Sequence, residues 1–319
     1  MTKENGNSKN KLHGLWALTN RELKKWYKAP VIFILSIIQP IIWMGLLGKA
    51  MNISSLFQGS SFTTSLASSD VGTQLTRSLL QYGMPKDNIQ GFLGTLPNLF
   101  QGLGSSVLTN TFHTTDYFSF MAVGMIAFTA LFTTAFSGMS VVWDRRLGFL
   151  NKALSTPVSR GVIVFSKVLS ATLRSMFQAG IIIVIAIAFG LQFGASFNPL
   201  YVLGVFAIMF LICVGLSSMF IAITIRSTRI ETPMAVMNLI TLPLMFASNA
   251  FFPTSIMPPW LQTVAQYNPM TYTTEAVRQL LIYKTTDFGV VATDFAYVGI
   301  FAAIVATIGI VLSWRYLSK

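Results

Sequence analysis

Charge is what this chain of 319 residues has least of. Asp, Glu, Lys and Arg together make up 10% of it, and no charged side chain occurs from Ser175 to Ile225 or from Thr232 to Thr274. Such lengths exclude a water-soluble domain, whose helices keep a polar face and whose interior is too small to hide them. The single cysteine, Cys213, excludes an intrachain disulfide framework and reads as a small hydrophobe within an apolar run. Two histidines, His13 and His113, stand too far apart to suggest a metal-ligand set. No GxxxxGK[ST] phosphate loop occurs, and the Gly-rich stretch Gly91 to Gly104 lacks the lysine such a loop needs. The polar, basic opening from Met1 to Lys28 has no early apolar stretch with a small-residue cleavage site, so no cleavable signal peptide is expected.

What fills the chain is apolar, 53% by count. A bilayer core takes about 20 apolar residues per crossing helix. The run from Ser175 to Ile225 therefore fits two crossings, with Asn198-Pro199 as the break. The expected fold is an all-α integral membrane protein of six transmembrane helices, at about 30–47, 117–142, 168–191, 200–225, 232–252 and 295–314. Arg174 falls about one turn inside the third span, where it either snorkels back to the interface or faces a polar cavity.

Basic residues accumulate beside spans on the cytoplasmic side. Of the 22 Lys and Arg, 17 fall in the N-terminal stretch, the segment 144–174, Arg226, Arg229 and the C-terminal end. Lys49, Arg77, Lys86, Arg278 and Lys284 fall on the other side. A multi-pass cell-membrane protein with both termini cytoplasmic is expected. The positive charge follows a membrane border and forms no groove-reading module, which argues against nucleic acid as a partner.

Three regions outside the spans carry information. Residues 1–28 form a cytoplasmic unit ahead of a transmembrane domain at 29–319. Within it Leu12, Leu15, Trp16, Leu23, Trp26 and Tyr27 can share one face, with Arg21, Lys24, Lys25 and Lys28 toward water, as in an interfacial amphipathic helix that lies on membrane lipid. The extracytoplasmic loop 50–115 is rich in Ser, Thr, Gly and Asn; Asp70 to Tyr82 suits a short amphipathic helix ended by Gly83 and Pro85. The cytoplasmic segment 144–167 places Leu147, Leu150 and Leu154 at helical spacing, with Pro157 as the stop and Ser159 as the next cap. That segment is either a docking surface with an exposed apolar ridge or an ordinary basic loop.

Pro253, Pro258, Pro259 and Pro269 forbid one continuous helix from Phe251 to Leu281. A broken, re-entrant segment at 253–283 follows, tolerable where protein buries it or a cavity adjoins it. Glu275 and Arg278 stand three apart, close enough on a helix to pair. They form either a solvated ion pair or part of a gate. Phe251 and Phe252, at the proline break, suit an outer gate that closes by packing. With Pro253, Asn268, Pro269, Glu275 and Arg278 they form the candidate gate set.

The run Asp116 to Val184, containing DRRLGFLNKALSTPVSR, and the run Pro243 to Leu281, containing FFPTSIMPPWLQ, NPMTY and EAVR, resemble the ABC-2-type permease subunits of ABC exporters of the daunorubicin-resistance kind. The resemblance implies that Leu147 to Pro157 includes a coupling helix seated in a groove of a separate ATPase. Asp144, Arg145, Arg146, Gly148, Phe149, Leu150, Leu154 and Pro157 are the implied coupling residues. It also implies that the N-terminal helix touches that ATPase. Two departures stand out. Relatives often carry acid where Arg146 and Asn151 or Lys152 stand, and a Ser-Gly pair where this chain has Ser248-Asn249-Ala250.

The expected function is that of an exporter's permease subunit, moving a drug-like or lipid-like amphiphile. ATP and Mg would bind two copies of the partner ATPase, with no cofactor on this chain, and a second permease chain would complete a homodimer. No catalytic residue is expected in a transport subunit of this kind. The alternative is an ion-coupled secondary transporter, which usually places ionisable residues at mid-membrane. Gln39, Thr133, Gln178, Asn238 and Asn249 are the candidate pathway residues.

Overall fold

The computed structural model describes residues 3–50, 70–114, 116–156, 158–227 and 229–317. Among these every regular element is helical. The order is α1 (Lys3–Tyr27), α2 (Pro30–Trp43) running into a π-helical turn (Met44–Ala50), α3 (Asp70–Gln81), α4 (Lys86–Thr111), α5 (Tyr117–Arg146), α6 (Phe149–Leu154), α7 (Arg160–Ala188), α8 (Tyr201–Thr224), α9 (Glu231–Phe246), a 3-10 turn (Thr254–Ile256), α10 (Pro259–Gln266), α11 (Pro269–Leu281) and α12 (Phe288–Leu317).

Among the described residues, four helices have the length and apolarity to cross a membrane: α5, α7, α8 and α12. The chain is a helical membrane protein. The other two expected spans, 30–47 and 232–252, fold as shorter units. Pro40 lies inside α2, shortly before the chain continues in π form from Met44. α9 is 16 residues long and contains Pro243. The third expected span begins eight residues earlier than 168, at Arg160, because Ser166 and Lys167 turn into the protein rather than to water. The sixth begins at Phe288, where the Asp287 carboxylate accepts from the Gly289 and Val290 amides.

Helix α5 is the axis of the bundle, buried over nearly its whole length between α7, α8, α9, α11 and α2. Its small residues explain this. In lipid no aqueous hydrophobic drive pulls helices together, so close van der Waals approach at Gly and Ala does the work. A Cβ on Gly124 would collide with the Ala250 carbonyl, and one on Gly138 would meet the Phe220 carbonyl at 3.0 Å.

The segment 50–115 is corrected by the structure: its described part is helical, not loop-like. α3 matches the expected amphipathic helix, but the 26-residue α4 was not foreseen. Hydroxyls of Thr95, Ser105, Ser106 and Thr109 donate back to carbonyls three or four residues earlier, which satisfies them within the helix. Ile89 and Leu108 are buried, and Leu108 joins the main core.

Candidate functional site

At one end of the bundle α1, α5 and α7 meet around two buried carboxylates. Glu22 accepts from Arg21 at 2.9 Å, Lys167 at 3.3 Å and Lys25 at 3.5 Å. Asp144 accepts from Lys167 at 2.5 Å and Lys25 at 2.6 Å, with Arg21 at 3.7 Å. Glu22, Asp144 and Lys167 are all nearly inaccessible to solvent, so none is a simple surface charge. Three cations share two anions, which leaves the hub with one net positive charge. The face of α1 that meets α7 therefore carries Thr19 and Glu22, while Leu12, Trp16 and Tyr27 turn outward.

The hub reaches the expected coupling segment through Arg21, whose guanidinium lies 3.0 Å above the Phe149 ring. α5 stops at Arg146; Gly148 then adopts φ +71°, a left-handed turn that favours glycine, and α6 starts at Phe149. Here the expectation of one exposed ridge is corrected. Leu147 precedes α6 and is 75% exposed, whereas Leu150 points inward among Val141, Ile163, Val164, Val168, Ile221 and Ile225. Leu154 is half-buried and Arg146 exposed. Arg145 reaches the Ser227 carbonyl at 3.5 Å. Asp144, expected on the coupling surface, faces the hub instead. Ser159 precedes α7 without a side-chain cap bond, and Pro157 lies outside the described residues.

Beside the hub a cavity of about 440 Å³ opens between α2, α5 and α7. Trp26, Leu35, Phe128, Phe132, Phe136 and Trp143 form its apolar walls, and Ser36, Gln39, Thr133, Ser137, Ser140, Arg174 and Gln178 its polar ones. Gln178 holds three helices together: its carbonyl oxygen accepts from Thr133, and its amide donates to Ser36 at 2.5 Å. Three of the five candidate pathway residues thus share one wall. Asn238 lies apart, on a minor pocket with Phe132 and Phe136, and Asn249 is buried elsewhere. Arg174 lines the cavity, with Nε donating to the Ser170 carbonyl at 3.2 Å.

The opposite end holds the proline-rich segment. Each expected break begins an element: Pro253 precedes the 3-10 turn, Pro259 starts α10 and Pro269 starts α11. Asn268 explains its own position. Its oxygen caps α11 at the Met270 amide, 2.9 Å away, while its Nδ2 donates to the Leu244 and Ala247 carbonyls left open at the end of α9.

The expected Glu275–Arg278 pair does not form. Arg278 is fully buried, 3.5 Å over the Phe120 ring, and donates to the Phe120 and Ala250 carbonyls at 3.3 and 3.0 Å. Glu275 instead accepts from Asn249 and from the Tyr283 hydroxyl, both at 3.1 Å. Burial and the neighbouring Glu275 carboxylate push the Tyr283 phenol well up. The geometry has a simple cause: α11 presents Arg278 to α5, and Glu275 one turn earlier faces Tyr283. Phe251 and Phe252 also part company. Phe251 is buried against Phe246 and Phe128, whereas Phe252 is 49% exposed.

Glu22, Lys25, Lys167 and Ser36 escaped the sequence reading. One signal was present: Glu22 is an acid set among Arg21, Lys24 and Lys25, three residues before Lys25.

The described helices form a bundle with an amphipathic cavity, tied at one end to the amphipathic helix α1. The chain belongs to the ABC-2 type transporter family, whose model matches residues 13–282. A protein of Porphyra purpurea named as the transport permease ycf38 is 35% identical over 192 residues, 60% of this chain and 64% of that one. The daunorubicin resistance ABC transporter permease protein DrrB1 of Streptomyces coeruleorubidus is 23% identical over 168 residues, 53% of this chain and 59% of its own. A protein of Escherichia coli K12 named as a multidrug ABC transporter permease, YbhR, is 27% identical over 171 residues, 52% of this chain and 45% of its own. The chain thus spans less than two thirds of each of these relatives.

Proposed function

We propose that this chain is the permease subunit of an ATP-driven exporter for hydrophobic or amphipathic substrates. Residues 1–28, with α1, lie in the cytoplasm beside a six-span domain at 29–319, in which α2 with its π turn and α9 are the two short spans. Both termini face the cytoplasm of a cell-membrane protein. Two copies of a separate ATPase bind ATP and Mg, and a second permease chain completes the pathway about a two-fold axis.

One observation carries the reading: the cavity and the ionic hub adjoin in a member of a transporter family. Ser140 lines the cavity, and the Lys167 ammonium, 3.5 Å from its hydroxyl, also holds Glu22 and Asp144. Arg21 joins that hub to Phe149 at the start of α6. A push on α6 or α1 therefore has a contiguous, stiff route to the cavity wall. The amphipathic walls support the substrate class, and the names of DrrB1 and YbhR support an ABC permease.

The test is reconstitution with a cognate ABC ATPase subunit. Amphiphile-stimulated hydrolysis with vectorial transport is expected. Transport driven by an ion gradient with no nucleotide present would overturn the proposal in favour of a secondary transporter.

A further inference from the structure

Among the described residues, the cavity between α2, α5 and α7 has one charged side chain on its wall, Arg174. An arginine carries five donors in a planar fork and cannot lose its proton under ordinary conditions. Only Nε of Arg174 is used, on the Ser170 carbonyl; the two terminal nitrogens have no partner among the described residues. A carboxylate would be the usual partner at such depth, yet none lines the cavity. Glu22 attracts Arg174 electrostatically but forms no ion pair with it, and Glu22 and Asp144 are held by Arg21, Lys25 and Lys167, whose charges exceed theirs by one. Arg174 lies seven residues beyond Lys167 on α7, about 10 Å along the axis, so a second positive pole stands behind it. Ser36, Gln39, Ser137 and Ser140 add neutral hydrogen-bonding groups beside the fork, and aromatic rings form the rest of the wall.

We propose that this cavity takes amphiphiles with an anionic oxygen headgroup (phosphate, sulfate or carboxylate), bound at the Arg174 fork with the apolar tail among Phe128, Phe132 and Phe136. The inference rests on reading the cavity as the substrate pathway. A planar fork pairs with two headgroup oxygens at once, and the low-dielectric walls strengthen that attraction. The same field repels cationic amphiphiles.

The experiment uses the full chain in zwitterionic nanodiscs and two probes, 11-(dansylamino)undecyl phosphate and 11-(dansylamino)undecyl trimethylammonium. Binding is read as energy transfer from tryptophan, since Trp26 and Trp143 stand in the wall. The phosphate probe is expected to bind at least tenfold more tightly than the ammonium probe. Arg174→Gln should abolish that preference, Arg174→Lys should keep part of it, and Ser137→Phe should block the cavity to both probes. Equal binding of the two probes to the wild-type chain, abolished by Ser137→Phe, overturns the anion site while leaving the pathway reading standing. A phosphate preference unchanged in Arg174→Gln overturns it likewise. No binding of either probe above empty nanodiscs overturns the site and the pathway reading together. Should Arg174→Gln fail to fold, the wild-type preference and Arg174→Lys decide the matter.

Discussion

Lys167 donates to Asp144 at 2.5 Å between two helices, and both side chains are almost wholly buried. An ion pair taken out of water adds little net stability, but removing one partner strands the other at a cost of about 3–5 kcal/mol. Asp144→Ala should therefore destabilise the folded protein by that order, measured by thermal unfolding in detergent. The double variant Asp144→Leu with Lys167→Met should recover most of the loss. Lys25→Ala removes a half-exposed cation and should cost under about 1 kcal/mol. An Asp144→Ala protein as stable as the wild type would refute the buried hub.

Gly124 is where α5 and the Ala250 carbonyl touch, and that same carbonyl accepts from Arg278. Gly124→Ala should destabilise by about 1–3 kcal/mol through overpacking. Gly91, on α4, has open space around its Cα, so Gly91→Ala should stabilise by up to about 1 kcal/mol through helix propensity. Unfolding midpoints of the two variants should move in opposite directions.

Leu147 and Leu150 separate a docking role from a packing role. Leu147 is exposed, and Leu147→Asp should fold normally yet lower substrate-stimulated hydrolysis by the partner ATPase. Leu150 sits in a closed apolar cluster, and Leu150→Asp should lose the fold by burying an unpaired carboxylate. Unimpaired coupling in Leu147→Asp would leave the segment as a plain loop.

Phe252 is the cleaner probe of an outer gate. Phe251→Ala empties a packed site and should cost about 3–5 kcal/mol, which confounds any transport assay. Phe252→Ala should remain folded, raise basal ATPase activity of the complex and loosen its dependence on substrate. An unchanged ratio of stimulated to basal hydrolysis would count against the gate.

The proposed orientation has a direct check. Single cysteines at Ser78 and Ser155, both exposed, placed in a Cys213→Ala background, should react with impermeant reagent from opposite sides of the membrane. Reaction of both from outside intact cells would exclude it.

Much of this architecture follows from residue order alone. Charge-free runs demand helices in lipid, since an unpaired backbone there costs several kcal/mol per group. Prolines at 253, 258, 259 and 269 mark where helices stop and start, each at or just before the start of an element. Asn268-Pro269 is legible in the same way, as a cap followed by a first-turn proline. Pairings across the fold are not legible. Glu275 and Arg278 are neighbours by helical spacing, yet Arg278 turns to the Phe120 and Ala250 carbonyls and Glu275 to Asn249 and Tyr283. Lys167 and Arg174 look alike in sequence as basic residues at a membrane border. Only packing gave the first two carboxylates and left the second facing a cavity. Local pattern sets which segments are helical, because propensity and solvation act residue by residue. Which buried charges find partners depends on how helices distant in sequence are brought together, and that is decided in three dimensions.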